Sequence, residues 1–208
     1  KFNANRLIES LIDDDTNDLN LFDKNFNFYI EIDQVFLDKE YVVENLNGSL
    51  NLKNNEIVNG ELIASFSKNK KFKFTIKSNE LEKVTTLFLD KAEPIVKRYK
   101  FIKGYNGGSL DFYSSKKGKK TISNLKIYDF RLKELPILTK LLTLASLQGI
   151  ADILSGEGIA FDEFEMNFEN QNNLMTIKEM YAIGPAISVL MEGYVEKNKL
   201  ISLKGSLV

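Results

Sequence analysis

The sequence predicts an α+β fold that is mainly β, with a long curved antiparallel sheet and about three helices. Most segments alternate apolar and polar residues, which is typical of strands buried on one face. Short polar or glycine-rich turns separate these segments, as in an antiparallel meander. Three further segments repeat their apolar residues every three or four positions, as amphipathic helices do. Because three helices are too few to cover so much apolar strand surface, we expect the sheet to curl on itself.

Alternation identifies the strands. The first clear case, KNFNFYIEID at 24–33, places Phe26, Phe28 and Ile30 on one face and asparagines on the other. Three similar runs follow, and their short polar turns predict a meander. The predicted strands occupy residues 24–33, 46–52, 60–66, 72–76, 104–115, 119–132, 159–170, 174–184, 186–197 and 199–208.

Two of the predicted helices are amphipathic. The first, at 4–14, places Leu7, Ile8, Leu11 and Ile12 at helical spacing. The second, at 79–91, begins at Asn79, a residue type that favours the start of a helix. The inward stripe of this second helix would consist of Leu81, Val84, Leu87 and Phe88.

The third predicted helix, near 136–154, lies in the most apolar long stretch of the chain. That stretch, residues 135–161, reads LPILTKLLTLASLQGIADILSGEGIAF. Pro136 suits a first helical turn, where its missing N–H has no partner to lose, and Gly156 and Gly158 would end the helix. Its local role is open between a core helix on the sheet, a cap at one end of an apolar trough, and a contact with a membrane.

Composition excludes several kinds of chemistry. The chain has 208 residues, of which 43% are hydrophobic and 27% charged, and this is typical of a folded domain. Histidine and cysteine are absent, which excludes Ser-His-Asp and Cys-His catalysis and zinc sites with thiolate or imidazole ligands. The net charge of −1 gives no overall attraction to nucleic acid. We therefore expect no enzyme activity, no cofactor, no metal and no nucleic-acid partner.

Short motifs that suggest ligand binding are incomplete. Residues 13–18, DDDTND, lack the glycine and the distal glutamate of a calcium loop. Residues 116–121, KKGKKT, lack the first glycine of a phosphate loop and predict a charged hairpin tip, with a weak contact to anionic lipid as the alternative. Glu163 and Glu165 share one strand face, where they favour a solvated surface over catalysis.

The region around the third helix resembles the C-terminal region of the AsmA-like family, in particular its YhdP branch. The matching LP pair, SLxG element and GxGIxF turn are Leu135, Pro136, Ser146, Leu147, Gly149, Gly156, Gly158, Ile159 and Phe161. A later GPA…GxV…LxGxL pattern is carried by Gly184, Pro185, Ala186, Gly193, Val195, Leu203, Gly205 and Leu207, with Glu196 where the family usually has Asp. A glycine-pair strand entry upstream is carried by Gly107, Gly108 and Leu110.

The resemblance implies long, bent antiparallel sheets that form a trough with an apolar inner surface. Members of the family are anchored in the inner membrane of Gram-negative bacteria, extend through the periplasm and are implicated in moving phospholipid to the outer membrane. We accordingly expect residues 1–208 to be a single periplasmic domain of a longer protein, attached to the inner membrane through a part outside this chain. Its expected partners are phospholipid and components of the inner and outer membranes.

The expected function is to shield phospholipid acyl chains in an apolar β groove during transport between the two membranes. The alternative is a structural module that assists outer-membrane assembly without binding lipid. The candidate lipid-binding residues are apolar residues of the strand faces: Phe26, Phe28, Ile30, Ile32, Leu62, Phe66, Phe72, Phe74, Ile76, Leu110, Phe112, Leu125, Ile127, Phe164, Met166, Phe168, Met175 and Ile177. A dry core made of the same residues, as in a closed sandwich, is the competing interpretation.

Overall fold

The computed structural model describes residues 25–37, 40–53, 56–66, 70–99, 103–133, 156–196 and 200–207. Within these ranges the chain forms eleven strands and one short helix. The strands are β1 (Phe26–Phe36), β2 (Val42–Lys53), β3 (Glu56–Phe66), β4 (Lys70–Ser78), β5 (Lys83–Leu89), β6 (Tyr105–Lys117), β7 (Lys120–Leu132), β8 (Ile159–Gln171), β9 (Leu174–Ile183), β10 (Ser188–Glu196) and β11 (Leu200–Leu207). The helix, α1 (Glu93–Tyr99), lies between β5 and β6.

The eleven strands form one open antiparallel sheet. Each strand pairs with its neighbours in sequence, from β1 at one edge to β11 at the other. This order is the meander that the short polar turns predict. The described strands do not divide into two packed sheets, so the closed sandwich that competes with a groove is not the architecture they form.

The predicted helix at 79–91 is wrong, because this segment forms a turn followed by β5. The Asn79 side chain accepts hydrogen bonds from the backbone N–H groups of Leu81 and Glu82, both at 2.9 Å. A helix N-cap makes the same kind of bond, so the residue that suggested a helix start instead closes a turn. The β-branched run at 84–86, VTT, then favours extended backbone.

The predicted α+β class with about three helices is therefore wrong for the part of the chain that the structure describes, which is nearly all antiparallel sheet. The predicted helices at 4–14 and 136–154, and the acidic run at 13–18, lie outside the described residues. Helix α1 was not predicted, since its seven residues are too few to show helical periodicity. The open sheet does agree with the predicted β groove.

Bulges and left-handed backbone conformations bend this sheet. The β8–β9 register shifts at Phe168 and the β9–β10 register shifts at Gly193. Between β6 and β7, Gly107, Gly108 and Asp129 have φ angles of 79°, 74° and 53°. The extra residue at each register shift bends the strand that carries it and increases its local twist. The sheet is therefore curved by its own backbone.

Helix α1 covers one margin of the sheet, which we call the helix rim. Val96 of α1 is 2% exposed and belongs to one buried cluster with Tyr105, Phe130 and Phe161. The ring of Phe130 stacks between the other two rings, with centroid separations of 5.6 Å to Tyr105 and 5.3 Å to Phe161. The opposite margin, which we call the turn rim, carries the hairpin turns between β4 and β5, β6 and β7, and β8 and β9. The side chains under helix α1 at the helix rim are therefore packed as a hydrophobic core.

Glu93 fastens α1 to the sheet. Its carboxylate accepts hydrogen bonds from the Tyr41 hydroxyl at 2.9 Å, from Asn106 Nδ2 and the Gly107 N–H at 3.2 Å each, and from Lys97 Nζ. Burial raises the pKa of Glu93, but these hydrogen bonds and the Lys97 charge outweigh burial and hold the pKa below its ordinary value. The ionised carboxylate is therefore the form that stabilises this rim.

Candidate functional site: the apolar face of the sheet

Cross-strand register defines two long rows of side chains on one face. Residues directly opposite each other in an antiparallel pair point to the same side, so a row can be followed from strand to strand. The floor row crosses all eleven strands through apolar residues and glycines only: Ile30, Gly48, Leu62, Phe74, Leu87, Phe112, Leu125, Met166, Met180, Met191 and Gly205. A second row, the rim-side row, lies nearer the helix rim and consists of Ala64, Phe72, Leu89, Leu110, Ile127, Phe164, Ala182 and Val189. We call the face that carries both rows the inner face.

The two rows differ in exposure. In the middle of the rim-side row, Leu89 is 0% and Ile127 1% exposed. The floor row is instead half-buried on six consecutive strands, β5 to β10, at Leu87, Phe112, Leu125, Met166, Met180 and Met191. The floor row therefore offers a continuous strip of partly accessible apolar side chains, while the rim-side row beside it is buried on its three middle strands, at Leu89, Leu110 and Ile127, and half-buried elsewhere.

All four methionines of the chain lie on the inner face. Met166, Met180 and Met191 are successive cross-strand partners in the floor row. Met175 belongs to the same face of β9, opposite Asn170 and Val195. Methionine is unbranched and polarizable, and it is favoured at surfaces that adapt to ligands of variable shape. This end of the floor row is therefore suited to flexible apolar partners.

Polar side chains of the outer face form ion pairs and hydrogen bonds with one another. Lys73 forms a 2.9 Å salt bridge with Glu61, and the Tyr181 hydroxyl donates to Glu163 at 2.9 Å and to Glu165 at 2.7 Å. The hydrogen bond from Tyr181 is the main cause that lowers the pKa of Glu165. The two glutamates considered for catalysis thus belong to the hydrogen-bond network of this outer face.

The structure places all eighteen predicted lining residues on the inner face. Eight of them are buried, namely Leu62, Phe66, Phe74, Ile76, Leu110, Ile127, Phe168 and Ile177. The other ten are half-buried, namely Phe26, Phe28, Ile30, Ile32, Phe72, Phe112, Leu125, Phe164, Met166 and Met175. That these residues contact lipid stays a prediction, and the half-buried set is where a ligand would find accessible surface.

Several inner-face residues were missed by the sequence argument. Leu87 and Leu89 were not assigned to the lining, because their segment was taken for a helix; both lie on the inner face of β5. Met180 and Met191 also occupy the floor row. Leu87, Leu89 and Met191 follow the two-residue alternation of their strands on the inner face, and that alternation is the signal that could have identified them. Met180 lies three residues after Ile177, because β9 carries a bulge between them, so alternation from Ile177 points to Glu179 instead.

A shallow cavity of about 530 Å³ lies on the opposite, outer face of β1 to β4. Its lining includes Asn27, Asn51, Asn59 and Glu61. The register places these side chains away from the floor row. Its lining is mixed, because the apolar Leu50 and Ile76 border it together with these polar side chains.

No helix in the described ranges is long and apolar enough to cross a membrane. No group of three or more acidic side chains in the same ranges is arranged to hold a metal ion. Comparisons with protein-family models, curated proteins and solved structures gave no match for the chain. We therefore infer a function from the geometry of the inner face.

Proposed function

We propose that this chain is a periplasmic, non-enzymatic segment of an AsmA/YhdP-like protein, whose inner face shields phospholipid acyl chains during transport between the inner and outer membranes. The observation that carries the proposal is the floor row, which is apolar or glycine on every one of the eleven strands. An acyl chain lying across the strands would meet no polar side chain along this row.

The dimensions of the sheet suit this task. Neighbouring strands lie about 4.8 Å apart, so the ten intervals between eleven strands give the floor row a length of about 48 Å. One acyl chain is about 15 Å long, half the thickness of a bilayer's hydrocarbon core, and would span about three strand intervals. The row is therefore longer than a single lipid, which is what a path along which lipids slide requires.

The energetics explain why no catalytic group is needed. A two-chain lipid has roughly 30 methylenes worth about 0.8 kcal/mol each, so its exposure to water costs on the order of 20 kcal/mol. A continuous apolar surface removes much of this barrier without any covalent step. The outer face, with its ion pairs and hydrogen bonds, keeps the opposite side of the sheet compatible with water.

Two of the glycines that carry the family resemblance, Gly158 and Gly193, occupy positions where a side chain does not fit. Gly158 has a φ of 85°, and a Cβ there would approach the Leu132 carbonyl oxygen to 2.7 Å. A Cβ on Gly193, which pairs with β9 beside the bulge of that strand, would approach the Ser202 carbonyl oxygen to 2.1 Å. These two glycines permit a close approach of neighbouring backbone that a side chain would block.

Native mass spectrometry of the protein purified from bacteria, without detergent, tests the proposal. We expect co-purified phospholipid, identified by its mass after release and by its acyl-chain fragments. A protein that is folded, empty, and remains empty after incubation with phospholipid vesicles would instead support the structural module. In that case the inner face would serve only as packing for other parts of the assembly.

A further inference from the structure

The turn rim carries a cationic hairpin tip that projects away from the protein. Residues 116–120, KKGKK, connect β6 to β7. Gly118 at the tip has a φ of 58°, and a Cβ there would meet no heavy atom within 4 Å. The side chains of Lys117 and Lys119 on either side of this glycine are exposed. These two lysines therefore lie where a partner outside the sheet can reach them.

Exposed leucines flank this tip on both sides. Leu81, in the turn between β4 and β5, is 82% exposed, and Leu174, which begins β9, is 39% exposed. Successive turns on this rim are two strand intervals, or about 10 Å, apart. Single exposed apolar residues are normal on a protein surface. Here, however, they share one edge with a cluster of lysines, and this combination is typical of segments that bind at a membrane interface.

The turn that carries Leu81 is fastened beside the hairpin tip. The Asn79 side chain accepts hydrogen bonds from the backbone N–H groups of Leu81 and Glu82. The Glu82 carboxylate accepts a further hydrogen bond from the Ser115 hydroxyl and lies 3.7 Å from Lys117 Nζ. These contacts join the two turns, so Leu81 is held next to the lysines while its own side chain points into solvent.

The charge of this part of the rim is opposite in sign to that of the whole chain. The two turns and the strand ends that join them hold five lysines and three glutamates, which gives +2 where the chain as a whole has −1: Lys83, Lys116, Lys117, Lys119 and Lys120 with Glu80, Glu82 and Glu169. The Lys117 side chain is 67% exposed, and exposed ion pairs such as that with Glu82 contribute little to stability. The lysines can therefore turn towards an anionic surface, which attracts each nearby lysine.

We propose that this part of the turn rim docks on the surface of a membrane that contains anionic phospholipid. Lys117 and Lys119 contact the headgroups, and Leu81 inserts among them. The sheet then stands edge-on to the membrane, with helix α1 on the margin that points away. The floor row at Leu87 lies four residues, or about 13 Å, from the rim end of β5 at Lys83. On the proposed function, this edge is where a lipid would pass between the membrane and the inner face.

Sedimentation of the protein with sucrose-loaded vesicles tests the docking surface. One set of vesicles contains dioleoyl-phosphatidylcholine alone, and the other contains equal amounts of dioleoyl-phosphatidylcholine and dioleoyl-phosphatidylglycerol. We expect the wild type to bind the anionic vesicles about tenfold or more tightly than the neutral ones. This preference should weaken at about 0.5 M salt, since salt screens exposed charges. Equal binding to both vesicles, or no binding to either, would overturn the proposal.

Matched variants locate the surface. Lys117→Gln/Lys119→Gln should weaken binding to the anionic vesicles about tenfold. Lys70→Gln/Lys71→Gln, which removes the same charge from exposed residues at the helix-rim end of β4, should bind like the wild type. Equal losses in both double variants would show a general effect of charge and overturn the site.

The leucine has its own control. Leu81→Ser should weaken binding about threefold or more, because it removes the inserted side chain. Phe36→Ser, at a residue 70% exposed on β1 near the helix rim, should have no effect. Equal binding by Leu81→Ser and the wild type would contradict insertion of Leu81. Docking and the acyl-chain groove fail separately, since Leu125→Asp alters the floor row and should still bind the anionic vesicles.

Discussion

Replacing Leu125 by aspartate places a charge in the middle of the proposed acyl-chain path. Leu125 lies on β7 in the floor row, between its cross-strand partners Phe112 and Met166, and all three are half-buried. An acyl chain spanning about three strand intervals and crossing β7 would cover position 125. The introduced carboxylate would then have to lose its water or take up a proton.

The size of the effect follows from these two routes. Full desolvation of a carboxylate costs several kcal/mol even in real proteins. Protonation at pH 7 of an aspartate with an ordinary pKa of about 3.9 costs about 4 kcal/mol, which sets the upper limit. We therefore expect phospholipid binding to weaken by between about tenfold and a thousandfold. Because Leu125 is only half-buried, the loss of folding stability should stay near 1–3 kcal/mol.

A phospholipid with a fluorescent acyl chain, titrated into each variant, measures this loss, while thermal unfolding confirms that the variants are folded. Leu125→Met should bind like the wild type, and so should Ile122→Asp, which places the same charge on the outer face of β7 at a residue 50% exposed. Ile127 and Phe74 are unsuitable targets, because they are 1% and 6% exposed and a charge there would unfold the sheet. The reasoning is refuted if folded Leu125→Asp binds as tightly as the wild type, or if Ile122→Asp is impaired to the same extent.

Three further predictions concern the framework of the sheet. Leu89→Ala removes a side chain that is 0% exposed and should lower the free energy of unfolding by about 2–5 kcal/mol in urea denaturation. Glu93 has a lowered pKa in the folded state, so its contribution to stability is present at neutral pH and is lost as the pH falls below 4.5. The variant Glu93→Gln should therefore be less stable at neutral pH and should lose less stability on acidification. Equal slopes of the free energy of unfolding against pH for the two proteins would contradict this. Gly158→Ala should lower the melting temperature more than Gly118→Ala, because both glycines have positive φ but only at Gly158 would a Cβ meet a neighbour, the Leu132 carbonyl oxygen at 2.7 Å.

Strand positions could be read from the sequence because the sheet is buried on one face only. In β8, residues 159–171, the apolar Phe164, Met166 and Phe168 alternate with Glu165 and other polar residues, and this two-residue period is the direct trace of a half-solvated sheet. The same logic placed the predicted lining residues on one face.

Strand β5 could not be read in this way, because it is apolar on both faces. Val84 and Phe88 lie on the outer face and Leu87 on the inner face, so the apolar residues fall at spacings of three and four, as in a helix. Local sequence also cannot decide whether successive strands form one sheet or two, since that depends on pairing between distant residues. The floor row became visible only when the register of all ten strand pairs was known.

Photo-crosslinking with phosphatidylglycerol that carries a diazirine in one acyl chain tests the central claim most directly. Crosslinked residues, mapped by peptide mass spectrometry, should fall on every second residue of a strand, for example at Met180 and Ala182 but not at Tyr181 and Ile183. Crosslinks confined to the outer face, or spread equally over both faces, would show that the apolar rows do not hold the acyl chain.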